Sequence, residues 1–167
     1  EDIDEVSTAE EGRLDLDLHA HQVTDLLWAA HEGMRDRYAA RSVNLIIDTR
    51  AAPGLTVHGD RHRIGQVLAN LLSNALRHTP PGGTVTMTSR RVGDHARITV
   101  TDNGEGMTPE QLEHAFERFY RGDQARNRDQ GGTGIGLTIS KAIIDAHDGF
   151  ITATSPGAGM GTEIRIA

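Results

Sequence analysis

The chain of 167 residues is long enough to bury one sizeable core, and its 37% hydrophobic content predicts a single domain. It contains no cysteine, which excludes disulfides, Cys-ligated zinc or iron–sulfur sites and thiol redox chemistry. The formal charge of −7 comes mostly from six acidic residues before Arg13. The rest of the chain has 18 acidic and 17 basic residues and is nearly neutral. This balance predicts no basic surface for binding nucleic acid or lipid.

Composition and periodicity divide the chain into a short leading segment and one domain. Residues 1–12 are acidic and without periodicity, so they are interpreted as a linker remnant, and 13–167 as the domain. There is no apolar run of transmembrane length and no signal-peptide pattern, and the chain begins at Glu1, so we expect a soluble fragment of a longer protein. The predicted elements, in chain order, are a strand at 14–18, a helix at 23–37, strands at 44–48 and 55–60, a helix at 61–78, strands at 84–89 and 96–101, a short helix from 108, a helix at 135–147, and strands at 150–154 and 162–166.

These elements predict an α+β fold, a two-layer sandwich in which a mixed, mostly antiparallel sheet carries the helices on one face. The clearest helix is 61–78, for which Asp60 is the expected N-cap. Its apolar face is formed by Ile64, Val67, Leu68, Leu71, Leu72, Ala75 and Leu76. At about 100° per residue, Asn70, Asn74 and Arg77 fall together on the opposite side, with His78 at its edge. The helix is therefore expected to present a polar stripe to a cleft.

Two glycine-rich segments follow this helix. They are Asp102-Asn103-Gly104-Glu105-Gly106-Met107 and Gly132-Thr133-Gly134-Ile135-Gly136-Leu137. Glycine turns let backbone N–H groups approach phosphates, and a helix N-terminus attracts their charge. An asparagine oxygen is a neutral, hard ligand of the kind that Mg²⁺ accepts beside phosphate oxygens. The stripe and the turns together predict a nucleotide site, and the polar, arginine-bearing segment 120–131 is expected to be a mobile lid over it.

Simpler interpretations exist for each motif taken alone. A single asparagine is more often a structural hydrogen bonder than a ligand, and a single glycine-rich turn is often no more than a turn. A dinucleotide Rossmann site is disfavoured because no parallel βαβ unit surrounds the glycines, and the chain has no Walker Gly-Lys-Ser/Thr. The order of the three motifs therefore carries more weight than any one of them.

That order and spacing resemble the N, G1 and G2 boxes of the ATP-binding catalytic domain of bacterial sensor histidine kinases. The resemblance runs from about Arg13 to Ala167 and is most specific at 70–79 and 102–107. It implies the Bergerat or GHKL fold, which also serves type II topoisomerases and MutL mismatch-repair proteins. The fold alone therefore does not choose the reaction.

The resemblance also implies ATP and Mg²⁺ as ligands, and roles for individual residues. Asn74 would hold the Mg²⁺ ion, with Asn70 and Arg77 beside the phosphates as the other catalytic residues. Asp102 would accept a hydrogen bond from the adenine amino group, and Thr162 would lie near the adenine. The further nucleotide-binding residues that it implies are His78, Gly104, Gly106, Met107, Phe119, Arg121, Gly132, Thr133, Gly134, Ile135, Gly136 and Leu137.

Position 70 bears on the choice of reaction. Hydrolysing and serine-phosphorylating members of the superfamily carry a glutamate there as general base, and the amide of Asn70 cannot accept a proton. A histidine imidazole already has a lone pair, so the expected reaction is transfer of the ATP γ-phosphoryl group to a histidine on a separate dimerisation domain. Two alternatives stay open: a degenerate ATP-binding regulatory module, and a GHKL ATPase, which Asn70 makes less favourable.

The implied partners are the histidine-bearing dimerisation domain of the same kinase and a response regulator receiver domain, with no nucleic acid and no direct membrane contact. The implied location is the cytoplasmic side of an inner-membrane-anchored sensor kinase. His31 begins a partial match to the acceptor motif His-Glu-x-x-x-Pro, but the proline is missing and only 39 residues separate it from Asn70. It is therefore interpreted as an ordinary surface or edge residue of its helix.

Overall fold

A computed structural model describes residues 15–48, 54–104, 135–155 and 162–166. The helices are α1 (Val23–Ala40), α2 (Arg61–His78) and α3 (Ile135–Ala146). The strands are β1 (His19–Gln22), β2 (Asn44–Asp48), β3 (Thr56–Gly59), β4 (Thr84–Val92), β5 (His95–Asp102), β6 (Ile151–Thr154) and β7 (Thr162–Ile166). The predicted linker 1–12, the helix from 108 and the lid 120–131 lie outside the described residues.

The main sheet has five strands in the order β2-β4-β5-β7-β6. Among the strands of the described ranges, only the β2–β4 pair in this sheet is parallel, and the other neighbours run antiparallel. The predicted hairpin of β4 and β5 is confirmed: Val92 pairs with His95 across a turn in which Gly93 has a φ of +60°. This positive φ is the conformation that favours glycine, so the turn residue is the local cause of the hairpin. The predicted mixed, mostly antiparallel sheet is therefore confirmed.

The core lies between one face of the sheet and the helices. Val85 and Met87 of β4 and Val100 of β5 are buried, whereas the threonines that alternate with them are partly or fully exposed. All seven apolar residues predicted for the inner face of α2 are buried. Burying each valine or leucine side chain stabilises the fold by about 1.5–3 kcal/mol, so this face anchors α2 firmly. One apolar layer therefore joins the helices to the sheet, as expected for a two-layer sandwich.

The first strand is a correction to the sequence prediction. The alternation of leucine and aspartate placed it at 14–18, but β1 is His19–Gln22, which pairs antiparallel with β3 in a separate two-stranded sheet. Leu18 is 43% exposed, so the alternation does not mark a buried face. Pairing with β3, more than thirty residues away, decides where this strand lies. Helix α1 also continues to Ala40, three residues past its predicted end.

Among the described residues, none of the helices is apolar enough over a sufficient length to cross a lipid bilayer.

Candidate functional site

Helix α2 carries the polar stripe, and its ends are fixed by local hydrogen bonds. Asp60 is the N-cap, as predicted: its Oδ1 accepts the backbone N–H of Arg63 at 3.0 Å. At the other end, Thr79 Oγ1 donates to the carbonyl of Ala75 at 2.8 Å. Between these caps, Asn70 and Asn74 are half-buried on the side of the helix away from its apolar face. The stripe is thus held on a rigid element.

Asn74 and Arg77 are in direct contact one turn apart. The Arg77 guanidinium donates from Nη2 to Asn74 Oδ1 at 3.0 Å. The amide oxygen of Asn74 therefore lies on the same side of the helix as the arginine and already accepts from a positively charged group. A neutral amide oxygen is a ligand that Mg²⁺ accepts together with phosphate oxygens, so Asn74 is chemically suited to bind such an ion. No group of three or more His, Asp or Glu residues in the described ranges is arranged to hold a metal ion.

Helices α2 and α3 pack antiparallel, as two contacts show. The Asp60 N–H, at the start of α2, donates to His147 Nε2, just after α3, at 3.0 Å. Further along α2, Asn70 Nδ2 donates to Ser140 Oγ, within α3, at 3.5 Å. Four residues onward from Asn70 is Asn74, and four residues back from Ser140 is Gly136; at 1.5 Å per residue, both steps cover about 6 Å. Continued in the same direction, the antiparallel packing brings the first turn of α3 toward the Asn74 end of α2.

The N-terminus of α3 brings partial positive charge to the Asn74 end of the seam between α2 and α3, which is called the groove below. The first N–H groups of a helix have no partner within the helix, and they carry partial positive charge. Together with the Arg77 guanidinium and the Asn74 amide, they make a setting that can receive phosphate oxygens and a divalent cation.

Asp102 lies at the end of β5, and its side chain is 7% exposed. The Gly104 N–H donates to Asp102 Oδ1 at 2.9 Å. A Cβ atom on Gly104 would collide with the carbonyl oxygen of His78, the last residue of α2. A glycine is therefore required where this turn passes the end of α2, and the turn brings the Asp102 carboxylate to the same end of the helix as Arg77 and His78.

The register of the sheet brings one further predicted residue to Asp102. Thr162, the first residue of β7, is the pairing partner of Asp102 across the β5–β7 ladder. These two residues are sixty positions apart in the sequence, and both were predicted to lie near an adenine. The structure thus places their backbones side by side.

Three other residues predicted to bind the nucleotide belong to α3. Leu137 packs against the core. Ile135 and Gly136 form the first turn of α3. The remaining predicted nucleotide-binding residues lie outside the described ranges: Gly106, Met107, Phe119, Arg121, Gly132, Thr133 and Gly134.

Two residues that support the helix of the stripe were not predicted from the sequence. Ser140 contacts Asn70, and its signal was a polar residue among the isoleucines of the helix at 135–147. Tyr38 of α1 donates its hydroxyl to the carbonyl of Leu72 in α2 at 2.6 Å. Burial of the hydroxyl and then the negative charge of Asp102 raise the pKa of Tyr38, so the tyrosine stays protonated as a donor. No local pattern predicts this contact.

His31 lies on α1 and takes no part in the groove. It is half-buried, its Nε2 is 3.1 Å from the carbonyl oxygen of Leu45 in β2, and its ring packs edge-on against Trp28. It is thus an edge residue between α1 and the sheet.

Comparison with known proteins gives consistent matches. The family described as histidine kinase-, DNA gyrase B-, and HSP90-like ATPase matches residues 59–167. The signal transduction histidine-protein kinase BaeS of Escherichia coli (strain K12) is 35% identical over 167 residues, which cover 99% of this chain and 35% of BaeS. The sensor-like histidine kinase SenX3 of Mycobacterium bovis is 44% identical over 126 residues, covering 75% of this chain and 31% of SenX3. The solved structure of Acinetobacter baumannii histidine kinase AdeS superposes with a TM-score of 0.80 at 25% identity, covering 99% of this chain and 73% of that one. The chain thus spans about a third of the length of these two curated relatives.

Proposed function

Since the chain belongs to the family of histidine kinase-, DNA gyrase B- and HSP90-like ATPases, we propose that it binds Mg²⁺-ATP and transfers the γ-phosphoryl group to a histidine on a separate dimerisation domain. Within the family it is an ATP-binding catalytic domain of the sensor histidine kinase type. The observation that supports the proposal is the antiparallel packing of α3 beside the polar stripe of α2, where Asn70 contacts Ser140 and Arg77 contacts Asn74.

Residues on both helices are proposed to bind the Mg²⁺ ion and the phosphates. Asn74 would hold the Mg²⁺ ion, which when bound neutralises part of the phosphate charge. Asn70 and Arg77 would contact the phosphates, and the donors of the 132–137 segment would bind them from the side of α3. Arg121 would add a positive charge from the lid.

At the other end of the site, Asp102 would accept a hydrogen bond from the adenine amino group, a group that guanine lacks at that position. The turn at Gly104, continued by Gly106 and Met107, would pass close to the nucleotide, and His78, Phe119 and Thr162 would complete its surroundings. The contact between the Gly104 N–H and Oδ1 supports this role, because it fixes the orientation of the carboxylate at the end of β5.

The nature of residue 70 favours a histidine acceptor. In the transfer, the lone pair of an imidazole nitrogen forms a P–N bond to the γ-phosphorus, while the bond from phosphorus to the bridging oxygen breaks and ADP leaves with that oxygen. No proton has to be removed before attack, so an asparagine at position 70 suffices. Attack by water would require a base there, which makes an ATPase the weaker alternative.

In the whole protein, we propose that residues 1–12 connect this domain, 13–167, to a preceding dimerisation domain that bears the acceptor histidine. A response regulator receiver domain would then take the phosphoryl group from that histidine. The proposed location is the cytoplasmic side of a membrane-anchored sensor kinase. The nearly neutral body gives no support to nucleic-acid binding or to direct membrane contact by this domain.

Phosphoryl transfer in trans tests the proposal. The chain is incubated with [γ-³²P]ATP, Mg²⁺ and the dimerisation domain of the same protein, and the label should appear on that domain as an acid-labile, base-stable phosphate. Asn74→Ala should abolish labelling because it removes the proposed Mg²⁺ ligand. His31→Gln should leave labelling intact, since His31 lies away from the groove.

Other outcomes identify the alternatives. Rapid phosphate release by the chain alone would establish an ATPase. Tight binding of Mg²⁺-ATP without labelling of the partner would establish a regulatory module. Loss of labelling in the His31 variant would contradict the interpretation of His31 as an edge residue with no part in the reaction.

A further inference from the structure

The end of the β4–β5 ladder is built partly from a side chain. Val85 and Asp102 form the last pair of this ladder, and Thr84 and Asn103 are the residues that come next on the two strands. The Asn103 N–H donates to the Thr84 carbonyl at 3.3 Å, as it would in a regular ladder. The Thr84 N–H, however, donates to the side-chain oxygen Oδ1 of Asn103 at 2.9 Å. A side-chain oxygen therefore stands where a regular ladder has the main-chain carbonyl of residue 103.

Gly83 provides the space for this side chain. A Cβ atom on Gly83 would lie 2.9 Å from Asn103 Oδ1 and would overlap the side chain of Thr79. Any other residue at position 83 would therefore push the Asn103 amide away from the Thr84 N–H. Thr84 and Asn103 are 19 positions apart in the sequence, so this contact is a tertiary one and not a local turn.

The contact decides how the peptide group between Asn103 and Gly104 is turned. In a trans peptide the C=O and the N–H point in opposite directions, and the group rotates as one rigid plane. A regular ladder would aim the Asn103 carbonyl at β4 and the Gly104 N–H away from β4, in the plane of the sheet. The Gly104 N–H instead donates to Asp102 Oδ1 at 2.9 Å, and the Asp102 side chain lies on the buried face of the sheet. The two arrangements therefore exclude each other.

We infer that Asn103 is a positioning residue for base recognition. Its side-chain oxygen accepts the Thr84 N–H, which leaves the Asn103–Gly104 peptide free to turn its N–H to the Asp102 carboxylate. The carboxylate is thereby held in one orientation before the nucleotide binds, so less conformational entropy is lost on binding. This inference rests on the proposed role of Asp102 as acceptor of the adenine amino group, and it adds a residue that sets the selectivity for adenine.

Removing the Asn103 oxygen should lower the selectivity for adenine. The Thr84 N–H would then take the main-chain carbonyl of residue 103 as its acceptor, and the same rotation would carry the Gly104 N–H away from Asp102. Loss of one such hydrogen bond should weaken binding of an ATP analogue by about threefold to tenfold. Binding of a GTP analogue, whose base presents a carbonyl in place of the amino group, should be unchanged. The preference for the ATP analogue should therefore fall by the same factor.

Calorimetric titration with the Mg²⁺ complexes of non-hydrolysable ATP and GTP analogues tests the inference. The proteins are the unmodified chain, Asn103→Ala, Asn103→Asp, in which a carboxylate oxygen can still accept from Thr84, and the control Asn44→Ala. Asn44 is exposed and pairs with Thr84 from β2, and its side chain has no hydrogen bond within the described part of the chain. Hydrogen exchange of the Gly104 amide is a second readout that needs no nucleotide, and thermal unfolding verifies that each variant folds.

The inference predicts that Asn103→Ala lowers the preference for the ATP analogue and speeds exchange of the Gly104 amide, whereas Asn103→Asp and Asn44→Ala keep both close to the values of the unmodified chain. Equal weakening of both analogues by Asn103→Ala would overturn the inference, because general damage to the fold would then explain the loss. The same loss of preference in Asn103→Asp, or unchanged Gly104 exchange in Asn103→Ala, would also overturn it.

Failure of the inference differs from failure of the proposed function. An unmodified chain that bound neither analogue would overturn the proposed function and this inference with it. An unmodified chain that bound the ATP analogue, beside an Asn103→Ala variant with the same preference, would overturn the inference alone.

Discussion

Replacing Gly104 with alanine should damage both stability and nucleotide binding. A Cβ atom at this position would overlap the carbonyl oxygen of His78 and lie 2.8 Å from its carbonyl carbon and 3.0 Å from Asp102 Oδ1. Ordinary contacts between such atoms are about 3.5–4.0 Å, so the turn and the end of α2 would have to separate by more than about an ångström. The backbone of Gly104 is not in the left-handed region, so the cost comes from the collision and not from φ.

Forcing a methyl group into a filled space typically costs about 1–3 kcal/mol, and both atoms of the His78 carbonyl belong to backbone that cannot rotate away. We expect Gly104→Ala to lower the free energy of unfolding by about 2–3 kcal/mol, which for a domain of this size lowers the melting temperature by roughly 4–12 °C. Since the Gly104 N–H holds Asp102 Oδ1, adenine-nucleotide affinity should fall as well.

Urea denaturation followed by circular dichroism measures the stability, and calorimetric titration with an ATP analogue measures the binding. Gly65→Ala is the matched control. Gly65 lies inside α2, and no atom would come within 4 Å of a Cβ placed there. It should raise stability by about 0.5–1 kcal/mol, because alanine favours a helix more than glycine does. If Gly104→Ala unfolded at the same urea concentration as the unmodified chain and bound nucleotide equally well, the close approach of the turn to His78 would be refuted.

Three further predictions concern single side chains. Asp102→Asn should weaken ATP binding by about 1.5–3 kcal/mol in calorimetry and reduce the preference for ATP over GTP, because a charge-assisted hydrogen bond is lost. Equal affinities of the unmodified chain for ATP and GTP would contradict the role of Asp102. Asp60→Ala should lower stability at neutral pH by about 0.5–2 kcal/mol through loss of the cap. Burial by itself raises the pKa of Asp60, but hydrogen bonds from backbone N–H groups, Asp17 first among them, outweigh it and leave the pKa below 3.8. The advantage of the unmodified chain should therefore be complete above pH 3.8 and vanish as the pH falls through the lowered value; a difference unaffected by acid would contradict this. Tyr38→Phe should lower the free energy of unfolding in urea by about 1 kcal/mol, because the hydrogen bond from the Tyr38 hydroxyl to the Leu72 carbonyl is lost. An unchanged free energy of unfolding would show that this hydrogen bond does not stabilise the fold.

Local patterns in the sequence sufficed to predict the main helix and the hairpin. The bounds of α2 agree with those predicted, because its apolar periodicity and its Asp60 cap involve residues only three or four positions apart. The same periodicity placed Asn70, Asn74 and Arg77 on one face. The hairpin of β4 and β5 was predictable because its turn residue, Gly93, lies between the two alternating segments that pair with each other.

Contacts between distant segments were decided only by the tertiary structure. The first strand was misplaced because its partner, β3, lies more than thirty residues away and does not influence the local alternation of apolar and polar residues. The pairing of Asp102 with Thr162 depends on the register of a sheet ladder. The contact of Asn70 with Ser140 spans seventy residues and depends on the antiparallel packing of α2 and α3. Periodicity states which face of an element is buried, but not which other element covers it. The sequence by itself therefore determined which side chains form the polar stripe, whereas the packing of α3 and the order of the strands determined what surrounds them.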